Sequence, residues 1–579
     1  MPFLVFRYVR IEPMGAPTDV TMTCATRPAA RRKPRRAALL TAGLAAVVAL
    51  LAACDGGGGT GTPSAPGTLE QGTPTAAPKG NAASYPAPNT PYVVGAGQRY
   101  RTIQQAVDAA PEGATIYIRN GTYREGVIPK SGQTLQGESR DGTRIDGANA
   151  VDRSWWHRDG KLWYFDDPWP LRGKVQALWD GVSPDIDALD TDLLHRDNVP
   201  LLHKAERGQV GAGDFWIDYS AHRVYIADNP AGHSFELAVR RVGVGDTHTT
   251  ATNVSVVNLT VENTATGFNE AGIEMGDGWT VKDCLVLGHH GRGINTGLNN
   301  TIIGTIAPTT GSYSGGGART SDQQGHPGSM QVLLNGELGI GADPNLNPVQ
   351  PNGNNVQIVN TEIGWSNVER YSYWDEAGGL KLSGLNGVTL SGDWIHDSYG
   401  AGAWFDTGNA NLSVTGSLFE DNLAAGIWYE ANDGGLQVIK NTFRDNGNTS
   451  LAMNRLFDAR GQYSAVFLSD SSNADVDQNF IQVGTEGGFG IASHYGGRIH
   501  PADYRIHGNV ISIGIPTAAF AFGSDGDNIT FTDNSVLTWG RVTPTSNLFS
   551  LGATSFTAWQ AAGHDTSGII AAIAAPPAS

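Results

Sequence analysis

Apolar and polar residues alternate in short runs along most of this chain, and the runs recur about every two dozen residues. The clearest stretch is Gly379 to Glu430. Gly379-Leu380-Lys381-Leu382-Ser383, Gly402-Ala403-Trp404-Phe405-Asp406 and Gly426-Ile427-Trp428-Tyr429-Glu430 follow one another at intervals of 23 and 24 residues. That is the period of a solenoid coil, in which each repeat stacks only on its neighbours. Side chains alternate faces along a strand. If Leu380, Ala403 and Ile427 point inward, Lys381, Trp404 and Trp428 form one outward column, and Ser383, Asp406 and Glu430 form a second. The phrase extends to Gly272-Ile273-Glu274, Gly293-Ile294-Asn295, Ala465-Val466-Phe467, Gly490-Ile491-Ala492 and Ala519-Phe520-Ala521. Gly276, Gly297, Ser469, His494 and Gly523 then share the register of the two carboxylates.

A second periodic feature fixes that register. Asn258, Asp283, Asn360, Asp393, Ser417, Asn441, Asn479, Asn509 and Asn534 each lie a few residues into an apolar run. Stacked amides at a solenoid turn bond to the coils above and below and satisfy the turn backbone. Ahead of the repeats, Ile103, Ala106, Val107 and Ala110 make one face of a short helix, followed by the strand Thr115-Ile116-Tyr117-Ile118. A cap is needed there, because an open solenoid end exposes apolar core and strand edges. This opening resembles the N-terminal cap of right-handed parallel β-helix proteins of the pectin-lyase-like group, which act on polysaccharides. The fold expected is therefore all-β, a right-handed parallel β-helix.

The period organises the rest. Residues 91–150 read as the cap and first coils, 241–551 as the β-helix, and 552–579 as a closing segment. Residues 151–240 break the period with Trp155, Trp156, Trp163, Trp169 and Trp179 and read as a small inserted β module whose tryptophans mostly pack its core. The Gly-, Asn- and Pro-rich segment 305–355 reads as a lid, groove wall or disordered loop, and the interruption at 447–464 as a further wall.

Composition adds a location. Arg31-Arg32-Lys33-Pro34-Arg35-Arg36 precedes a 17-residue apolar run from Ala37 to Ala53, the shape of a signal segment, with Met22 as a plausible start. The run ends Leu51-Ala52-Ala53-Cys54, which resembles a bacterial lipobox and implies lipidation at Cys54. Residues 54–90, poor in apolar side chains, read as a flexible tether. The expected setting is outside the cytoplasm, anchored to the outer face of the membrane. The formal charge is −17; residues after 53 hold 31 basic and 54 acidic side chains, a balance of −23. Such a surface argues against nucleic acid as a partner. Cys284 is the one cysteine beyond Cys54, which excludes an intramolecular disulfide in a processed chain and suits a buried packing role.

The candidate chemistry sits on the outward columns. Asp406 and Glu430 fall at equivalent positions on consecutive coils, so their backbones are expected about 5 Å apart. Carboxyl groups near the ~5–5.5 Å of retaining glycosidases divide into one acid and one nucleophile, because like charges so close raise one pKa. Trp404 and Trp428 are expected to offer outward faces for sugar rings, with Trp374, Glu376 and His494 completing the substrate-binding set. Lys381 is expected to pair with Asp406. In a rival reading it is the base of a polysaccharide lyase, with Ca²⁺ held by Asp375, Glu376, Asp406 and Glu430. A third reading is a carbohydrate-binding protein that cuts nothing. No cofactor is required by the hydrolase reading, and no His cluster has transition-metal spacing.

The phrases GGLK, AWFD and GIWYE are similar to those of right-handed β-helix glycoside hydrolases, especially β-helix β-xylosidases. That resemblance implies Asp406 as nucleophile and Glu430 as acid/base. The resemblance covers about 95–565 at fold level, while the match of motifs is confined to about 379–435. The family's acid/base Glu is followed by Val-Asn-His-Gly-Pro, whereas Ala431-Asn432-Asp433-Gly434 stands here, which leaves the sugar open.

Overall fold

The computed structural model describes residues 80–173, 190–247, 249–309, 327–342, 354–371, 376–447, 463–484, 488–523, 526–540, 542–544, 546, 548–549 and 555–574. Three parallel sheets run its length, with thirteen, thirteen and nine described strands. The chain visits them in rotation, so each middle coil contributes one strand to each sheet and pairs in register with the coils on either side. The result is a parallel β-helix. Among the described residues, Cys54, the tether up to residue 79, Trp179, Trp374, Asp375 and most of 447–464 have no place.

The inward column of the nine-stranded sheet is Ile273, Ile294, Ile340, Leu380, Ala403, Ile427, Val466, Ile491 and Phe520, all fully buried. Ile340 belongs to a coil inside 305–355: strands Met330–Leu333 and Leu338–Ala342 cross that segment, so it is not one continuous loop. A second inward column, Leu382, Phe405, Tyr429 and Leu468, is fully buried too. Together with the apolar positions of the other two sheets these residues form one continuous core.

Three polar ladders lock the coils, and period reasoning reaches only the first of them. In that one, Ser417 N donates to Asn441 Oδ1, Asn441 N to Asn479, Asn479 N to Asn509 and Asn509 N to Asn534, at 2.9–3.1 Å. The N-terminal members differ: Asn258 Nδ2 donates to Gly137 O, and Asp283 accepts from Thr305. A second ladder joins Asn422 to Asn446. The third, Asn409 to Asn432, lies just beyond the carboxylates.

The ends are closed by helices. Ile103–Ala109 starts at Thr102, whose hydroxyl accepts from Gln105 N in a capping box. Phe556–Ala561 carries the buried Trp559 onto the last coils, and Ile569–Ala572 pairs with Ser535–Thr538. Between Ala148 and Ala238, mostly antiparallel strands form two small sheets around a separate core, with Leu202–His203 pairing parallel to Asp214–Asp218. Trp155, Trp156, Trp163 and Trp169 pack against that core. Cys284 is buried, and burial pushes its thiol pKa up to about 12.

Candidate active site

The strands Gly378–Ser383, Ala401–Asp406, Ile427–Glu430, Ser464–Ser469 and Phe489–His494 lie side by side. Ser383, Asp406, Glu430, Ser469 and His494 are successive Cα partners, so one rung separates the two carboxylates. Each carboxylate ends its strand. The next residues, Thr407 (φ 33°) and Ala431 (φ 53°), are in the left-handed region, which is costly for both. The third ladder holds these turns. Asn409 Nδ2 donates to Asp406 O at 2.7 Å and to Leu382 O at 3.0 Å. Asn432 Nδ2 donates to Glu430 O and Phe405 O, both at 2.8 Å. Asn409 N donates to Asn432 Oδ1 at 2.6 Å. Two buried amides thus fix the backbone on which both carboxylates stand.

The surroundings of the two acids differ. Asp406 Oδ2 is 3.1 Å from Lys381 Nζ, and Oδ1 accepts from Thr407 Oγ1 at 2.7 Å. Glu430 Oε2 accepts from Trp404 Nε1 at 3.1 Å, and Oε1 is 3.6 Å from an Arg498 guanidinium nitrogen. Burial, and then the charge of Asp406, push the Glu430 carboxyl up to about 7, although Arg498, Lys381 and the Trp404 hydrogen bond oppose the rise.

The tryptophans do not form an exposed platform. Trp404 and Trp428 stack on each other at 4.3 Å with their planes 2° apart, and both are buried. Ala401, Leu423, Ala424, Ala425 and Phe467 cover them. They line the carboxylates from beneath; they do not present a face to a sugar ring. Lys381 is likewise buried: its Nζ lies 3.8 Å from the centre of the Trp404 ring and 3.2 Å from Glu376 Oε1. Glu376 in turn meets Arg292 at 3.4 Å, and Arg292 pairs with buried Glu337 at 2.9 Å. A chain of ions therefore leads from Glu337 through Arg292, Glu376 and Lys381 to Asp406. His494 is half-buried two rungs beyond Glu430, while Trp374 lies outside the described residues.

Lys381 occupies the place between Glu376 and Asp406 that a Ca²⁺ ion would take in the lyase reading. No group of three or more metal-ligating side chains occurs among the described residues. Arg498 and Arg292 are the functional neighbours that sequence reasoning missed. Arg292 is the residue before the Gly293-Ile294 phrase and carried a register signal; Arg498 sits in an irregular loop and carried none.

A cavity of about 370 Å³ lies elsewhere, lined by Thr122, Arg144, Asp146, Asn198, Ser234 and Glu236 among others, where the inserted sheets meet the first coils. Its lining residues belong to the first coils and the inserted sheets, not to the strands that carry Asp406 and Glu430.

A family described as "Right handed beta helix region" matches residues 342–457. No curated protein matches the chain. Among solved structures, the chain is similar to the complex of XylC with xylose, at 13% identity and a TM-score of 0.52 over 83% of this chain and 85% of that one. It also aligns with a structure described as a glycoside hydrolase (11% identity, 74% and 86% covered, TM-score 0.33). An alginate lyase from Paenibacillus sp. str. FPU-7 aligns at 9% identity (73% and 95% covered, TM-score 0.30). The family match and the likeness to the XylC structure show the fold, a right-handed parallel β-helix.

Proposed function

We propose that this chain is a retaining glycoside hydrolase with Asp406 as nucleophile and Glu430 as acid/base. The observation that carries the reading is the asymmetry of two carboxylates one rung apart. Asp406 is paired with an ammonium group, while Glu430 is raised to about 7 against buried indoles. That arrangement sets a salt-bridged nucleophile beside a carboxyl able to carry a proton near neutral pH, which is the division of labour retention needs.

In the first step an Asp406 oxygen bonds to the anomeric carbon as the glycosidic C–O bond breaks. Glu430 passes its proton to the departing oxygen. In the second step Glu430, now ionised, takes a proton from water as the water oxygen bonds to the anomeric carbon. The bond to Asp406 breaks, and both carboxyls return to their starting states. Strand pairing holds the two backbones about 4.8 Å apart, within the range in which carboxyl groups reach opposite sides of one sugar. Lys381 orients Asp406 and offsets its charge, and Glu376 holds Lys381 in turn.

The lyase reading asks Lys381 to act as a neutral base. Its Nζ is enclosed by Glu376, Asp406 and the Trp404 face, which leaves it no open approach to a substrate proton. Carbohydrate as the substrate class is supported by the fold's company: the most similar structure quoted above holds xylose. A xyloside is accordingly the first glycoside to try. The basic and apolar segment before Cys54 supports export and lipid anchoring as part of the same proposal. Globomycin-sensitive processing, or its absence in Cys54→Ser, checks it.

The test is to incubate the protein with neutral xylans, pectin and alginate and to assay both reducing ends and ultraviolet-absorbing unsaturated ends. Reducing ends alone, lost in Asp406→Asn and in Glu430→Gln, are expected. Unsaturated products, or binding without cleavage across the panel, contradict the proposal.

A further inference from the structure

We infer that the segment from His494 to His500 forms the leaving-group side of this site and selects glycosides whose leaving residue carries a carboxylate. The inference rests on the assignment of Asp406 and Glu430 above.

Direction comes first. Glu376, Lys381 and Asp406 lie to one side of Glu430 along the column, and Ser469 and His494 to the other. The sugar attacked by Asp406 occupies the first side. The group that receives a proton from Glu430 therefore extends over Ser469 toward His494, two rungs or about 10 Å away, the length of roughly two sugar residues. The chain leaves the sheet at His494 and folds back toward Glu430. Asp470 holds that return: its Oδ1 accepts from Gly496 N at 2.6 Å and from Arg498 N at 3.1 Å. A Cβ on Gly496 would stand 2.6 Å from Asp470 Oδ2, and Gly497 has a φ of +103°, so both positions suit glycine alone.

This return places two kinds of sugar-binding group along the path. Of the four large apolar side chains that stand exposed among the described residues, Tyr495 is the one aromatic, and it packs edge-on against His500 at 5.3 Å. His500 is tied to Asp527 at 3.2 Å. With the two tryptophans buried, Tyr495 is the aromatic face open to a leaving residue. Arg498 points its guanidinium to Glu430 yet keeps 61% of its side chain exposed, so it is open to a second anion. Guanidinium forks match carboxylates. On a chain with a net charge of −17, a local cation is also what lets an anionic substrate approach. A carboxylate that pairs with Arg498 draws it from Glu430, and the loss of that neighbouring cation favours the protonated form of Glu430 that donates to the departing oxygen.

The test compares 4-carboxyphenyl and 4-carbamoylphenyl β-glycosides of one sugar on the full chain, its Arg498→Gln variant and its Tyr495→Ala variant. The unmodified chain is expected to favour the carboxyphenyl glycoside by about fivefold in kcat/KM, the scale of one largely exposed ion pair. In Arg498→Gln the ratio falls to near one, with the unfolding temperature confirming the fold. In Tyr495→Ala KM rises for both glycosides while the ratio persists. A ratio near one in the unmodified chain, or one that survives in Arg498→Gln, overturns the inference. If neither glycoside is cleaved, the hydrolase assignment fails on its own, and the pair is compared as ligands by calorimetry. A carboxylate preference lost in Arg498→Gln then sustains the anion subsite, whereas equal affinity or no binding overturns it.

Discussion

Replacing Asp406 with Asn should lower the pKa of Glu430 by about one unit, with no change of size at either position. Glu430 stands at about 7 against an ordinary 4.5. The rise of about 2.5 units corresponds to roughly 3.4 kcal/mol between its two protonation states. Burial is the larger cause and the Asp406 charge the second. Two unit charges at the strand spacing of about 4.8 Å repel by roughly 0.9 to 3.5 kcal/mol for effective dielectrics between 80 and 20. Lys381 at 3.1 Å neutralises part of that, so the lower half of the range applies. The assay is a ¹³C NMR titration of the glutamate side-chain carboxyls, with the Glu430 signal identified by its loss in Glu430→Gln. The midpoint is expected near 7 in the unmodified chain and near 6 in Asp406→Asn. A midpoint near 4.5 in the unmodified chain, or one that ignores Asp406, refutes the argument that a desolvated carboxylate pair sets the site.

The same raised pKa has a stability consequence. Between about pH 4.5 and 7 the folded chain holds the Glu430 proton more tightly than the unfolded chain, so this group's contribution to stability falls as pH rises through that window. Glu430→Gln should therefore raise the unfolding temperature at pH 8, by an amount equivalent to about 1–3 kcal/mol, and change it little at pH 4. Glycoside hydrolysis should decline on the alkaline side with a midpoint near 7, seen in the pH dependence of kcat/KM, which reports the free enzyme. Trp428→Ala removes a buried ring from the stack with Trp404 and should cost about 3–5 kcal/mol in a denaturant titration, far more than loss of an exposed sugar platform. Asn432→Ala takes both its amide bonds and its acceptor from the turns that carry the carboxylates. It should cost about 2–4 kcal/mol of stability and lower kcat more than it changes KM.

The coil register was legible in the sequence because each outward phrase follows a small residue, Gly or Ala, and then an apolar one. The pairing of Ser383, Asp406, Glu430, Ser469 and His494 follows from that register. The burial of Trp404 and Trp428 was not legible. A period of two says which face a side chain takes, and nothing about what covers that face. Here the turn Leu423-Ala424-Ala425, ahead of the strand in its own coil, folds over the indoles. The coil carrying Ile340 was hidden because long Gly- and Asn-rich stretches flank it and displace it from the period. Arg498 lies far beyond Glu430 in sequence and reaches it only because Asp470 turns an aperiodic loop back across a rung. The Asn409–Asn432 ladder was visible as letters, yet its purpose depends on left-handed turns that no pattern of apolar residues announces.

Trapping the intermediate tests the central claim most directly. The protein is incubated with an activated 2-deoxy-2-fluoro glycoside of whichever sugar it cleaves, digested and sequenced by mass spectrometry. The account predicts one covalent glycosyl adduct, on the peptide containing Asp406 and at that side chain, absent from Asp406→Asn. Hydrolysis with an inverted anomeric product and no adduct, or an adduct on a different carboxylate, would contradict it.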